Sequence, residues 1–315
     1  MRMGFSFYTT LLLGALSLAG CSGTQKNADS PDNYSFSPAE ASEYLRELRG
    51  DQGAQGEGPK TIEEVFVILR KDELSRFDGA ARLVENMKGV EALSIRAIVH
   101  LMRADIYLTV ADLLKDMGSR ARAERERLVV KEEHGSTLTE EEEQRVEELS
   151  QKGRSWAKTD AALRVLQETE RAAGGSLAQE AVQLYPKEPS GYRAAAYFYY
   201  LDNNWLRFDD MMKPLEEVEG KDAGLSYLRA MESLYREANR KRARASLEEA
   251  LAANPQLVRA QAKLVLVHDD IARRHEELVQ LKTLNPTHPI VALVGPEIIA
   301  EYEATRAIEE ARSSD

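Results

Sequence analysis

The chain has 315 residues, of which 42 are basic and 53 acidic, giving a formal net charge of −11, and it contains one cysteine. A net-acidic chain is a poor candidate for binding nucleic acid through bulk charge. One cysteine excludes an intramolecular disulfide and a cysteine-based metal cluster.

Residues 1–20 predict a signal peptide. Arg2 and the amino terminus are positive, and Phe5 to Leu18 form an apolar stretch too short to span a bilayer as a mature helix. The segment ends Leu18-Ala19-Gly20-Cys21, which resembles the lipobox of bacterial lipoproteins. That resemblance implies cleavage before Cys21 and acylation of its thiol and freed amino group, so that more than one acyl chain anchors the protein stably. A secretory signal with a chance cysteine is the alternative.

Ser22 follows the cysteine where an Asp would imply retention in the inner membrane of a Gram-negative cell. The resemblance therefore implies an outer-membrane lipoprotein that faces the periplasm. In a Gram-positive cell the anchor would lie on the cell membrane instead.

Residues 21–59 are rich in Ser, Asp, Asn, Gly, Gln and Pro, a composition that predicts a lipidated, flexible tether. One short helix is expected to interrupt it, because Ser37, Pro38 and Glu40 form a helix-start signal. The tether would hold the rest of the chain away from the bilayer.

Residues 60–154 predict a helical N-terminal region. Thr61 and Glu64 form a capping box, a second short helix is expected from Leu74 to Met87, and a helix from Ala92 to Met117 carries two apolar stripes. Two stripes imply packing on two sides, so this helix should be central. From residue 118 to 154 the chain is highly charged with a thin apolar seam, which predicts a projecting antiparallel helical hairpin.

Residues 155–315 predict successive helical hairpins. Two consecutive units share one layout of small and aromatic residues: Tyr192, Ala195, Ala196, Tyr199, Phe208, Met212, Leu215 and Gly220 in the first, and Tyr227, Ala230, Met231, Leu234, Ala243, Leu247, Ala250 and Pro255 in the second. A unit from Trp156, broken at Gly174-Gly175 and closed by Pro186, precedes them. A degenerate unit follows, in which His268 and Glu277 replace apolar or small residues. A helix from Pro296 to Ala311 is expected to cap the array.

The closing positions Pro186, Gly220, Pro255 and Pro289 lie 34 or 35 residues apart, and the segment resembles tetratricopeptide repeats. The resemblance implies an all-α protein built on an α-solenoid of such hairpins, whose first helices line a concave groove that binds peptides or protein surfaces. Met231 departs from the pattern, which usually has Gly, Ala or Ser there.

Ten residues carry over to the groove positions of the repeat family. Tyr and Arg, which recur among them, are enriched at binding hot spots. The predicted partner-binding residues are Arg193, Tyr197, Tyr200, Leu228, Glu232, Tyr235, Arg236, Arg259, Leu266 and Asp269. Tyr197 and Tyr200 are expected to be exposed in the groove, although aromatic residues at helical spacing also suit a core.

An enzyme is not indicated. None of the five histidines belongs to an H-E-x-x-H motif, and Gly174-Gly175 lacks the Lys-Ser/Thr of a phosphate loop. His268 and His275 are seven residues apart, about 10 Å along a helix, which is too far to share one metal ion without help. We therefore expect no metal and no cofactor.

Three functions remain open. The first is a lipid-anchored adaptor that holds an envelope protein or peptide in its repeat groove, as similar repeat lipoproteins do in envelope assembly. The second is a small-ligand-binding lipoprotein associated with a solute transporter, with a cavity lined by the helix at residues 92–117. The third is a structural envelope protein that self-associates through the hairpin at residues 118–154.

Overall fold

The structure, a computed structural model, describes residues 34–49, 58–85, 87–134, 137–219 and 222–313, and all regular structure in these ranges is helical. The signal peptide and Cys21 lie outside the described residues. The helices are α1 (Pro38–Arg49), α2 (Ile62–Arg70), α3 (Phe77–Glu85), α4 (Val90–Glu133), α5 (Glu140–Leu184), α6 (Pro189–Leu201), α7 (Trp205–Glu219), α8 (Ala223–Met231), α9 (Arg240–Ala253), α10 (Val258–Val267), α11 (Ile271–Leu284), α12 (Pro289–Leu293) and α13 (Gly295–Ser313). The all-α prediction is confirmed.

Helix α1 is docked on the body of the protein rather than suspended in a tether. Its capping box is present, since the Glu40 amide donates to Ser37 Oγ and the Ser37 amide to Glu40 Oε2. Ala41 and Leu45 are buried against α5, and Tyr44 hydrogen-bonds with Thr159 at 3.1 Å. The predicted short helix is therefore present, and it buries its apolar face on the core.

Two long helices, α4 and α5, form the centre of the fold and pack along each other. Neither breaks where the sequence suggested: α4 passes through Gly118, and α5 passes through Gly174 and Gly175. A Cβ at Gly174 would lie 2.7 Å from Leu101 Cγ, so this glycine allows α4 and α5 to approach closely instead of ending a helix. The expected first hairpin unit from Trp156 is thus one continuous helix.

The charged hairpin expected at residues 118–154 consists of the distal ends of α4 and α5. Among the described side chains from 122 to 148 none is buried. The Thr139–Glu142 capping box starts the return, Arg145 pairs with Glu124 at 2.9 Å, and Lys131 pairs with Glu142 at 2.7 Å. Ion pairs therefore connect the two arms of a helix pair that lies outside the core.

Three helical hairpins follow, formed by α6 with α7, α8 with α9, and α10 with α11. Their first helices begin at residues 189, 223 and 258, which are 34 and 35 residues apart. In the third hairpin the two unexpected polar residues meet, because His268 Nε2 lies 3.5 Å from Glu277 Oε1. Helix α13 follows close to its expected bounds and packs against α11.

Hydrogen bonds connect the end of α2 and the residues after it to the third hairpin, near the C-terminal end of the chain. The Arg259 side chain on α10 donates to the Leu69 carbonyl at 2.9 Å, and Asn285 Nδ2 donates to the carbonyls of Lys71 and Asp72. These bonds hold the end of α2 against the start of α10 and the end of α11. Among the described helices, none is long and apolar enough to cross a membrane.

Two glycine substitutions should change the free energy of unfolding in opposite directions. Gly118→Ala on α4 meets no atom within 4 Å, so it should raise the free energy of unfolding by about 0.5–1 kcal/mol through helix propensity. Gly174→Ala should lower it by about 1–3 kcal/mol, because its methyl group overlaps Leu101. Urea denaturation of both variants measures this, and a stabilised Gly174→Ala would contradict the close-packing role.

Candidate functional site

A buried carboxylate on α4 joins the first helices of the three hairpins. The Asp105 carboxylate accepts hydrogen bonds from the hydroxyls of Tyr197 on α6, at 2.7 Å, and of Tyr200 and Tyr227. Lys263 on α10 places its ammonium 2.8 Å from Asp105 Oδ1. All five side chains are at most 5% exposed. We call these five residues the Asp105 cluster.

The protonation states of the cluster follow from burial and charge. Burial alone would raise the pKa of Asp105, but Lys263 and the tyrosine hydroxyls outweigh it and hold the pKa below its usual range. Burial and the Asp105 charge raise the pKa of each tyrosine well above 10.0, so the tyrosines stay neutral and donate. The cluster is thus an ion pair in a ring of donors, the arrangement in which a buried pair is tolerated.

A second acidic residue on α4, Asp112, extends the contact by two helical turns. The chain after α8 forms a π-helical turn, Glu232–Arg236, which carries Tyr235. The Tyr235 hydroxyl donates to Asp112 Oδ2 at 2.8 Å and accepts from Lys263 Nζ at 3.0 Å. The wider turn therefore helps to place Tyr235 between α4 and α10. Turns of this π type are frequent at functional sites.

Asp72, between α2 and α3, is buried, and its side-chain carboxylate makes no hydrogen bond. Neither carboxylate oxygen has a hydrogen-bond partner, and Oδ1 lies 3.9 Å from Arg259 Nε. Burial raises the pKa of Asp72 from 3.8 to about 7, although Arg259 opposes the shift. Its backbone φ of +48° lies in the left-handed region, which Asp and Asn tolerate better than most residues.

An open cleft of about 410 Å³ lies beside the Asp105 cluster, towards the start of α4. Its walls come from α2, α4, α6, α8 and the start of α10 and are mainly apolar. The apolar lining includes Phe66, Ile95, Ile98, Leu228 and Leu257. Arg259 forms part of the wall, with its guanidinium 6.0 Å from the Tyr197 ring centre and 5.9 Å from that of Tyr227. The volume falls in the usual range for small-molecule sites.

The predicted groove residues divide into two groups. Arg193, Tyr197, Leu228 and Arg259 line the cleft together. The other six do not: Tyr200 and Tyr235 bond to α4 side chains, Glu232 and Leu266 are buried, and the exposed Arg236 and Asp269 form ion pairs with Asp209 and Arg240.

The expectation that Tyr197 and Tyr200 are exposed to a partner is wrong. Tyr197 is 5% exposed and Tyr200 1% exposed, because α4 covers the surface that their helix presents. Replacing both with alanine would therefore disturb the core, so it is not a clean test of partner binding.

Asp105 and Lys263 were not singled out by the sequence analysis, although a signal existed. Each is a charge set between apolar neighbours in the sequence, Ala104-Asp105-Ile106 in α4 and Ala262-Lys263-Leu264 in α10. Opposite charges in two core helices indicate a buried pair, since an unpaired buried charge is very costly. Among the described residues there is no group of three or more His, Cys, Asp or Glu side chains arranged to hold a metal ion.

Comparison of the chain with known protein families, with characterised proteins and with solved structures finds no match. The function of the chain is therefore inferred from the geometry of the Asp105 cluster and of the cleft.

Among substitutions in the Asp105 cluster, those that break the Asp105–Lys263 ion pair should cost the most unfolding free energy. Asp105→Asn leaves the Lys263 ammonium buried without its counter-ion and should cost about 3–5 kcal/mol of unfolding free energy. Tyr227→Phe removes one donor and should cost about 1.5–3 kcal/mol. The double variant Asp105→Asn/Lys263→Met should be more stable than Asp105→Asn alone. Losses that simply add, measured by urea denaturation, would show that the two residues are not coupled.

Asp72 should make stability depend on pH. Between about pH 4 and pH 7 the unfolded chain has lost the Asp72 proton while the folded chain keeps it, so this group lowers stability as pH rises to about 7. Asp72→Asn stays neutral and fits the left-handed backbone. The difference in unfolding free energy between variant and wild type should therefore move in favour of the variant by about 1–3 kcal/mol from pH 5 to pH 8.

The matched control is Asp210→Asn, which removes an exposed carboxylate 3.8 Å from Arg207. It should leave the difference nearly constant across the same pH range. A constant difference for Asp72→Asn as well would refute the raised pKa.

Proposed function

We propose that this chain is a lipid-anchored, helical-repeat protein that binds a small apolar ligand in the cleft between α2, α4, α6 and α8. The observation that carries the proposal is the cleft itself, an opening of about 410 Å³ in which four of the ten predicted groove residues meet. The rest of the expected groove is filled by α4, which leaves little continuous surface for an extended peptide.

The proposed localisation of the protein rests on its N-terminal sequence. The lipobox-like Leu18-Ala19-Gly20-Cys21 supports an envelope lipoprotein, and Ser22 supports the outer membrane with the body in the periplasm. The 34- and 35-residue spacing of the first helices supports a tetratricopeptide-like solenoid. In this proposal the repeat hairpins pack around α4, and the cleft remains open at one end of this contact.

Filling the cleft should abolish ligand binding. Ala223, the first residue of α8, is half-buried in the cleft wall, so Ala223→Trp places an indole in the opening. Ala272, near the start of α11, is exposed and is not one of the residues that line the cleft. We expect Nile red, a neutral apolar probe, to bind wild type and Ala272→Trp with one site and to bind Ala223→Trp at least tenfold more weakly. Equal binding to all three, or to none, would contradict the proposal.

A second candidate, the adaptor, is favoured by the arm formed by residues 122–148. Ion pairs connect the two helices of the arm, which contributes no buried described side chain to the core. Cross-linking in intact envelopes separates the candidates. An adaptor would lose its partner when residues 122–148 are replaced by a short linker and would keep it in Ala223→Trp. A ligand carrier would keep its ligand when the arm is replaced and would lose it in Ala223→Trp.

A further inference from the structure

The charges around the cleft indicate what kind of ligand it takes. Among the described residues that line it there are three arginines, Arg70, Arg193 and Arg259, and no Asp or Glu. This is unusual for a chain with a net charge of −11. An apolar opening edged by positive charge suits a molecule with a hydrocarbon part and an anionic end.

The three arginines are not equally available to a ligand. Arg259 is held within the fold by the Leu69 carbonyl and lies near Asp72. The Arg193 guanidinium donates to Asp222 Oδ2 at 2.5 Å, at the start of α8. Arg70, at the end of α2, donates only its Nε–H, to the Phe66 carbonyl at 3.3 Å, and forms no ion pair with a described carboxylate. Its outer N–H groups can therefore form a bidentate pair with an anion.

The apolar part of the ligand has a defined place. Phe66 lies one turn before Arg70 on α2, Ile95 and Ile98 form the α4 side of the cleft, and Leu228 and Leu257 add to the apolar lining. Phe66 is 40% exposed, which is a large exposure for a phenyl ring and leaves it able to cover a hydrocarbon chain. A volume near the lower end of the range for ligand sites favours one alkyl chain over a two-chain lipid.

We infer that the cleft binds a free medium-chain fatty acid as its carboxylate, with the alkyl chain against Phe66, Ile95 and Ile98 and the carboxylate at Arg70. This inference rests on the proposed function, because it names the ligand class of the same cleft. Burial of the chain would supply most of the affinity, and the arginine would select the anion.

Displacement of Nile red from a chain of residues 22–315, which contains every described residue, tests the inference. The probes are decanoate, decanol and decylamine, each below its micelle-forming concentration. Decanoate should bind at least tenfold more tightly than decylamine, and lengthening the alkyl chain from octanoate to decanoate should tighten binding about fourfold per added methylene.

Charge variants locate the carboxylate. Arg70→Gln should weaken decanoate binding about three- to tenfold and leave decanol unchanged. Arg82→Gln, which removes an exposed arginine on α3, is the control and should change neither. Ala223→Glu adds a negative charge to the cleft at a helix N-terminus that tolerates acids, so it should weaken decanoate but not decanol. Ala272→Glu is its control.

The outcomes distinguish a failure of the fatty-acid assignment from a failure of the proposed ligand-binding function. Equal affinity for the acid, the alcohol and the amine would overturn the inference about charge and leave an apolar ligand site. Failure of all three to displace bound Nile red would overturn the fatty-acid assignment, and failure of Nile red itself to bind would overturn the proposed function. Tight binding of the chain to anionic phospholipid vesicles with no competition from decanoate would assign the positive rim to a membrane surface.

Discussion

The ion pair between Asp105 and Lys263 is the interaction on which the arrangement of helices depends. Its two charged groups are 2.8 Å apart and nearly inaccessible to water, a position that is tolerated only with a close counter-ion and further hydrogen bonds. Those hydrogen bonds come from Tyr197, Tyr200 and Tyr227 on α6 and α8. Because one carboxylate is shared by α6, α8 and α10, shifting any of them along α4 would leave a buried charge or hydroxyl unsatisfied. We interpret the cluster as the feature that fixes the register of the hairpins on α4.

The position of the cleft follows from the course of α4. Ile98 precedes Asp105 by seven residues, or about 10 Å along the helix, so the cleft lies two turns from the ion pair. The α4 side chains that line the opening here, Ile95 and Ile98, are apolar and cannot hydrogen-bond across it to α6 and α8. Helix α2 and the start of α10 complete the wall. The same helix therefore closes the middle of the predicted groove and forms one side of the opening at its end.

Local sequence signals predicted the elements, whereas long-range packing decided which surfaces remain open. The capping residues Ser37, Thr61 and Thr139 start the helices that follow them, and the 34-residue spacing located the three hairpins. Helical periodicity shows which face is apolar but not what covers it, so it could not show that α4 covers Tyr197 and Tyr200. The Gly174-Gly175 pair was ambiguous in the same way, because glycine serves both a helix end and a close helix contact. The contact with Leu101, more than 70 residues earlier in the chain, decided between them.

Two of the unusual groups of the fold lie at the two ends of the buried contact around the Asp105 cluster. At one end, Asp72 combines a left-handed backbone with two carboxylate oxygens that lack hydrogen bonds, beside the Arg259 that forms part of the cleft wall. At the other end, the π-helical turn presents Tyr235 to Asp112. Departures from local rules persist when the surrounding structure holds them in place, and they cluster where a protein binds or switches. At the first of these ends the acid beside Arg259 is Asp72, which is buried and whose pKa is raised to about 7. No described Asp or Glu lines the opening, so the charged residues at the edge of the cleft are arginines.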